Sequence, residues 1–313
     1  MIDCQQEGTG MSPRNRTRLI YFCVILVAYC FITSPAAAPD SEHSKSRRHF
    51  LWSVEGRKAT VYLLGSIHLL KKDSYQLPAA IDHIFSCCNK VVFETDLDGM
   101  KKPEVQHKMM TLGMYPAGQT LAKNISEDTY TLLRESLQDS GIPIERFEQF
   151  KPWLIAINLA GLEFERMGFD PALGVDRQFF DRAKKDGKEM LYLETNEFQI
   201  NLFGRLNRQK QEILLKQTLQ ELDIIETRFQ EIIAAWRTGD YELFNSIISK
   251  SFHAYPYLYN RLFVRRNRNW ISEITKLMNQ QGDALIIVGA GHLVGKDSVI
   301  DLMKKKGYKV NQL

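Results

Sequence analysis

Two apolar runs near opposite ends of the chain close in the same way, and this pairing constrains the fold more than any other feature. Val61-Tyr62-Leu63-Leu64 leads into Gly65-Ser66-Ile67-His68, and Ile286-Ile287-Val288 leads into Gly289-Ala290-Gly291-His292. A continuous apolar run of this length, ended by glycine, reads as a buried strand. Glycine at a strand end lets the backbone turn sharply and lets other groups come close. Each histidine is then presented at the carboxyl edge of a sheet, where open α/β sheets hold their ligands. The two runs are about 220 residues apart in sequence, so the sheet must be assembled from both ends of the chain.

The intervening chain supports that layout. Phe50 to Glu55 and Ala59 to Leu64 predict a hairpin around Gly56, and Lys90 to Glu94 a short buried strand. Pro78 to Phe85, Val175 to Lys185 and Val299 to Lys306 predict helices. Met190 to Leu193 returns to strand, as does Tyr308 to Val310. Trp153, Ile157, Ala160, Phe164 and Met167 keep the spacing of one apolar helical face. Leu215, Leu219, Leu222, Ile225, Phe229, Ile232 and Trp236 extend such a face over three heptads, which predicts one long amphipathic helix from Arg208 to Trp236 covering the core. The expected class is α/β, with α+β the alternative: a sheet from both ends, covered by a mostly helical middle.

Met1 to Ala38 reads as a secretory signal. Arg14, Arg16 and Arg18 are basic, Leu19 to Ile32 is apolar, and Ala36-Ala37-Ala38 is a small-residue cleavage site. The apolar run is shorter than the roughly 20 residues that span a bilayer. Residues 39–49 form a flexible leader and 50–313 one domain, exported to the periplasm or secreted; membrane attachment is expected only if the signal is retained. Cleavage leaves Cys87 and Cys88 as the remaining cysteines. Adjacent cysteines rarely bond to one another, so they are expected as small buried filler. The formal charge of +4 in 313 residues gives no reason to expect nucleic acid.

Two further strand ends carry acid groups. Glu94 follows Lys90-Val91-Val92-Phe93, and Glu194 follows Leu191-Tyr192-Leu193. Two imidazoles and one or two carboxylates at one sheet edge make a shell for a divalent metal, with His68, His292 and Glu94 as ligands. Glu194 is then general base or a further ligand; a helix cap is the plainer role for it. Arg266 falls between Leu262 and Trp270 at helical spacing, and Asn267 between Phe263 and Ile271, while Arg265 faces water. Polar groups on an apolar stripe need partners, so Arg266 is expected to steady a carboxylate or a developing oxyanion. His43, His49, His83, His107 and His253 lack any such setting.

Phe50-Leu51-Trp52, Gly65-Ser66-Ile67-His68, Glu94, Lys151-Pro152-Trp153, Gly174-Val175-Asp176, Leu193-Glu194-Thr195 with Gln199, Arg266-Asn267 with Trp270, and Gly289 to Gly295 stand in an ordered series. That series resembles the TraB/GumN family, to which the Tiki proteases are related, over Phe50 to Leu313. The resemblance implies a fold akin to the erythromycin-esterase and ChaN-like proteins, and manganese- or cobalt-dependent peptide cleavage, with zinc as a further possible ion. An acid often precedes the Arg-Asn pair in that family, and here Arg265 stands in its place. The expected function is metal-dependent hydrolysis of a peptide or ester bond, on a peptide or small-molecule substrate. The alternative is an envelope protein that sequesters a peptide signal, a metal or haem without turnover.

Overall fold

The computed structural model describes residues 48–72, 77–139 and 141–313. The expected signal segment Met1 to Ala38 and nearly all of the leader lie outside these residues. Six strands form one sheet: β1 (Leu51–Glu55), β2 (Thr60–Ser66), β3 (Lys90–Phe93), β4 (Glu189–Tyr192), β5 (Ala284–Gly289) and β6 (Val310–Gln312), in the order β4-β3-β5-β2-β1-β6. β2, β5, β3 and β4 run parallel, and β1 joins β2 and β6 antiparallel. The sheet is therefore mixed and does draw its strands from both ends of the chain.

β5 is the hinge of this arrangement. Its residues are buried from Ala284 to Gly289, and it pairs with β2 on one side and β3 on the other. A parallel strand covered on both faces has no polar positions to spare, which is why its sequence is apolar throughout. The parallel sense places the carboxyl ends of β2, β5, β3 and β4 along one edge, and the residues that follow these ends form the candidate site.

Helices cover the sheet. The expected face on Trp153 to Met167 is part of a helix, Pro152–Arg166, that is buried nearly all round, with Leu154, Ile155, Ala156, Asn158 and Leu159 also inside. The long helix is corrected: Arg208–Glu221 and Ile225–Arg237 are separate helices joined by a 3-10 turn at Leu222–Ile224. A heptad-spaced face drifts by about 20° per heptad on a straight helix. The break resets the drift, so Leu215 and Leu219 on one side of it and Ile225, Phe229, Ile232 and Trp236 on the other are all buried. Trp236 Nε1 then donates to the Gly65 carbonyl at 2.7 Å, pinning this cover to the end of β2. The cysteines divide: Cys88 is buried filler as expected, whereas Cys87 is exposed with its Sγ 3.7 Å from His83 Nε2. Among the described residues no helix is long and apolar enough to cross a membrane.

Candidate active site

His68 follows β2, Glu94 follows β3, Glu194 follows β4 and His292 closes the 3-10 turn Ala290–His292 after β5. Arg266 and Asn267 come from the helix Arg265–Met278, which leaves a single wide π-helical turn at Asn260–Val264. Such turns are frequent beside functional sites. Arg266 is 2% and Asn267 1% exposed, while Arg265 faces solvent, as the helical spacing predicts.

Arg266 organises the buried half of the site. Its Nε lies 2.8 Å from Glu194 Oε1, and its Nη2 lies 2.8 Å from Glu194 Oε2 and 2.5 Å from Glu94 Oε2. Its Nη1 donates to the Leu262 carbonyl at 3.2 Å and to His292 Nε2 at 3.0 Å. A guanidinium has five N–H donors, and these contacts use them all. The local partner, from the preceding π-helical turn, is a carbonyl, and both carboxylates come from strand ends, so Arg265 costs the pairing nothing.

The carboxylates are equally engaged. Glu194 also accepts from Trp270 Nε1 at 3.0 Å and Gln199 Nε2 at 3.1 Å. It is thus a saturated acceptor and not a free base. Glu94 Oε1 accepts the Gly289 N–H at 2.7 Å. Burial alone would raise the Glu94 pKa, but the charge of Arg266, with the His292 and His68 rings and the Gly289 N–H beside it, holds it at about 2. His292 is pulled down to about 3 by burial and then by the Arg266 charge. It is a neutral ring, packed against Trp270 and Phe263 at centroid distances of 4.4 and 4.9 Å.

His68 differs from the others. Its side chain keeps 17% exposure, and its Nδ1 meets Asp176 Oδ2 at 3.0 Å. Burial lowers its pKa, but the charge and hydrogen bond of Asp176, followed by Glu94, prevail, and the net shift is upward from 6.5. Asp176 lies in the first turn of the helix Val175–Lys185, which docks on the histidine loop through the Val175 N–H to the Ile67 carbonyl at 2.9 Å. At Gly174 a Cβ would fall 2.2 Å from the His68 carbonyl oxygen, so only glycine permits this approach. At Gly289 a Cβ would fall 2.9 Å from His68 Nε2 and 3.4 Å from Glu94 Oε1, which shows both atoms converging on one bare stretch of backbone.

The structure thus brings together His68, Glu94, Glu194, Arg266 and His292. Asp176 was noted in the sequence without a role; its place one residue inside a helix behind Gly174 was the available signal. The expected metal trio does not fit a metal in this arrangement. The lone pair of His292 Nε2 and one oxygen of Glu94 are committed to the same guanidinium, whose charge repels a second cation at that spot. Consistently, among the described residues no group of three or more His, Cys, Asp and Glu side chains could hold a metal ion.

A family model described as the TraB/PrgY/gumN family matches residues 50–312. An uncharacterized protein of Treponema pallidum (strain Nichols) is 23% identical, over 93% of this chain and 92% of its own length. The uncharacterized protein YbaP of Escherichia coli (strain K12) is 25% identical, over 78% of this chain and 87% of its own. A metalloprotease TIKI homolog of Amphimedon queenslandica is 23% identical, over 94% of this chain and 68% of its own. No solved structure matches the chain.

Proposed function

The chain belongs to the TraB/PrgY/gumN family, and from that premise we propose that it is a hydrolase of amide or ester bonds, with peptides the favoured substrates, in which His68 is the general base. The TIKI relatives are named as metalloproteases, which supports the reaction class. One observation carries the assignment: of the five sequence-derived site residues, His68 keeps the most exposed side chain, and its Nε2 and Glu94 Oε1 both border side-chain-free Gly289.

With its Nδ1 proton donated to Asp176, His68 offers the Nε2 lone pair. A water held between Nε2 and Glu94 Oε1 gives one proton to Nε2 as its oxygen attacks the carbonyl carbon. The imidazolium, steadied by Asp176, returns that proton to the leaving amine or alkoxide, and the products are a carboxylic acid and an amine or alcohol. Arg266 acts at one remove, since its donors are spent on Glu94, Glu194 and His292. The relatives' printed names support a metal in this reaction class without naming one, and His68, Glu94 and His292 as arranged here do not fit one. The working protein is proposed to be the exported chain 39–313, carrying the domain 50–313 and released by cleavage after Ala38, which N-terminal sequencing of the exported product checks.

The test is a peptide library incubated with purified protein and with His68→Gln. New peptide termini from the wild type that are lost in the variant are expected. Binding of peptides by both proteins with no new termini would sink the hydrolase in favour of sequestration.

A further inference from the structure

We propose that His292 is a fixed neutral acceptor for Arg266, held in one tautomer by Asn267 and the turn at Asp297, and that Arg266 is thereby the resident cation at this end of the site. The inference stands apart from the hydrolase reading, because it concerns where a ring proton resides and not whether substrate is turned over.

The chain of contacts starts outside the site. Asp297 is the one non-glycine with positive φ among the described residues, at 60°. Aspartate tolerates this left-handed conformation better than most residues, and local bonds hold it there. Its N–H donates to Asp301 Oδ2 at 2.7 Å, and its carboxylate faces Arg268 at 3.3 Å and Lys305 at 3.9 Å. The turn aims the Asp297 carbonyl inward, where it accepts from Asn267 Nδ2 at 2.9 Å.

That bond decides the orientation of the Asn267 amide. With its NH2 spent on a carbonyl, the side chain has only its oxygen to present on the other side. Asn267 Oδ1 lies 2.6 Å from His292 Nδ1, so the Nδ1 must carry the proton. The Nε2 is then a lone pair, and the donor that meets it is Arg266 Nη1 at 3.0 Å. The reversed tautomer would set Nε2–H against a guanidinium N–H and leave two acceptors facing each other at Nδ1. Neither contact survives that reversal, and both ends of the ring lie in a site where His292 is 3% exposed. The same guanidinium pairs with Glu94 and Glu194. A divalent ion at His292 Nε2 would have to displace the Arg266 Nη1 that already meets its lone pair.

Long-range proton–nitrogen spectra of the protein labelled at histidine nitrogen test this directly, with His292 assigned by its loss in His292→Asn. The expected wild-type ring is neutral and protonated at Nδ1, with no broadening or shift on adding equimolar manganese or cobalt. Asn267→Leu, which removes both amide contacts, leaves the tautomer to the Arg266 contact and is expected to admit a minor Nε2-protonated form beside the wild-type one. Asp297→Gly keeps the carbonyl and relieves the backbone, so it is expected to preserve the wild-type signature. Protonation at Nε2 in the wild type, a metal-induced shift of His292, or an unchanged ring in Asn267→Leu would each overturn the proposal. If Asn267→Leu does not fold, the wild-type tautomer and its response to cobalt still decide.

Discussion

Arg266 and Glu194 meet as a planar fork, with Nε 2.8 Å from Oε1 and Nη2 2.8 Å from Oε2, and their side chains are 3% and 6% exposed. A buried pair of this kind is costly to break from one side, because the abandoned charge stays in the interior. Arg266→Met leaves Glu94 and Glu194 together without their shared counter-ion. The expected loss is about 3–5 kcal/mol of folding stability, measured by urea unfolding against Arg268→Met as a surface control. Equal midpoints for the two variants would show that Arg266 does not organise the site.

His68 and Asp176 predict the pH profile of turnover. The base form of His68 is required, and its pKa lies above 6.5 because Asp176 and Glu94 favour the charged ring more than burial disfavours it. Turnover should therefore rise as pH climbs through a value above 6.5 and then level off. Asp176→Asn removes the charge, so the rise should move to lower pH while the maximum falls. His68→Gln should cost about 10²–10⁴-fold in rate with little change in unfolding midpoint, since the ring is partly exposed. A pH profile that is flat from 5 to 9, or identical in Asp176→Asn, would remove His68 from its role.

Much of this site is legible in the sequence. The paired apolar runs ending at His68 and His292, with Glu94 and Glu194 behind two further strands, carried the sheet edge, because a buried parallel strand leaves a continuous apolar record in sequence. The spacing of Leu262, Arg266 and Trp270 carried the burial of Arg266 for the same reason. Saturation was not legible: nothing local in Glu194 says that Trp270, Gln199 and Arg266 already satisfy it, and this depends on how the helix Arg265–Met278 sits over the sheet edge. The break at Leu222–Ile224 was hidden because a reset helix keeps the same apolar spacing as an unbroken one. Asp176 went unassigned because its partner is 108 residues away and only Gly174 marks the approach.

Acid should destabilise the fold earlier than ordinary carboxylates would. A group whose pKa is lowered by folding contributes stability above its unfolded value and loses it as pH falls towards the folded one. For His292 that window runs from 6.5 down to about 3, and for Glu94 from 4.5 down to about 2. His68 has the opposite sign: its raised pKa contributes below 6.5 and fades as pH rises through the folded value. Urea midpoints should thus begin to fall below pH 6.5, and the slope between pH 6.5 and 4.5 should flatten in His292→Asn. An unaltered slope in that variant would mean the ring is not held neutral.

The Trp236–Gly65 bond predicts that the helical cover is fixed in place. Trp236→Phe keeps most of the ring packing and removes the Nε1 donor, leaving the Gly65 carbonyl to water or to nothing. The expected cost is about 1–2 kcal/mol, with faster amide exchange in the helix Ile225–Arg237. Exchange already fast in the wild-type helix would mark it as a moving lid.

Gly289→Ala isolates the point where His68 and Glu94 meet. Gly289 has φ −52° and ψ 134°, a conformation alanine adopts without strain, so the substitution tests space and not backbone. The added Cβ would meet His68 Nε2 at 2.9 Å and Glu94 Oε1 at 3.4 Å. His68 is the partner able to yield, because Glu94 is anchored by Arg266 and by the Gly289 N–H itself. The ring should turn away by a few tenths of an ångström and lose its aim on the space beside Glu94. Turnover should then fall about 10²-fold, as small misplacements in catalytic geometry do, while the unfolding free energy changes by less than about 1 kcal/mol. Wild-type turnover in Gly289→Ala would mean that the chemistry takes place elsewhere on the sheet edge.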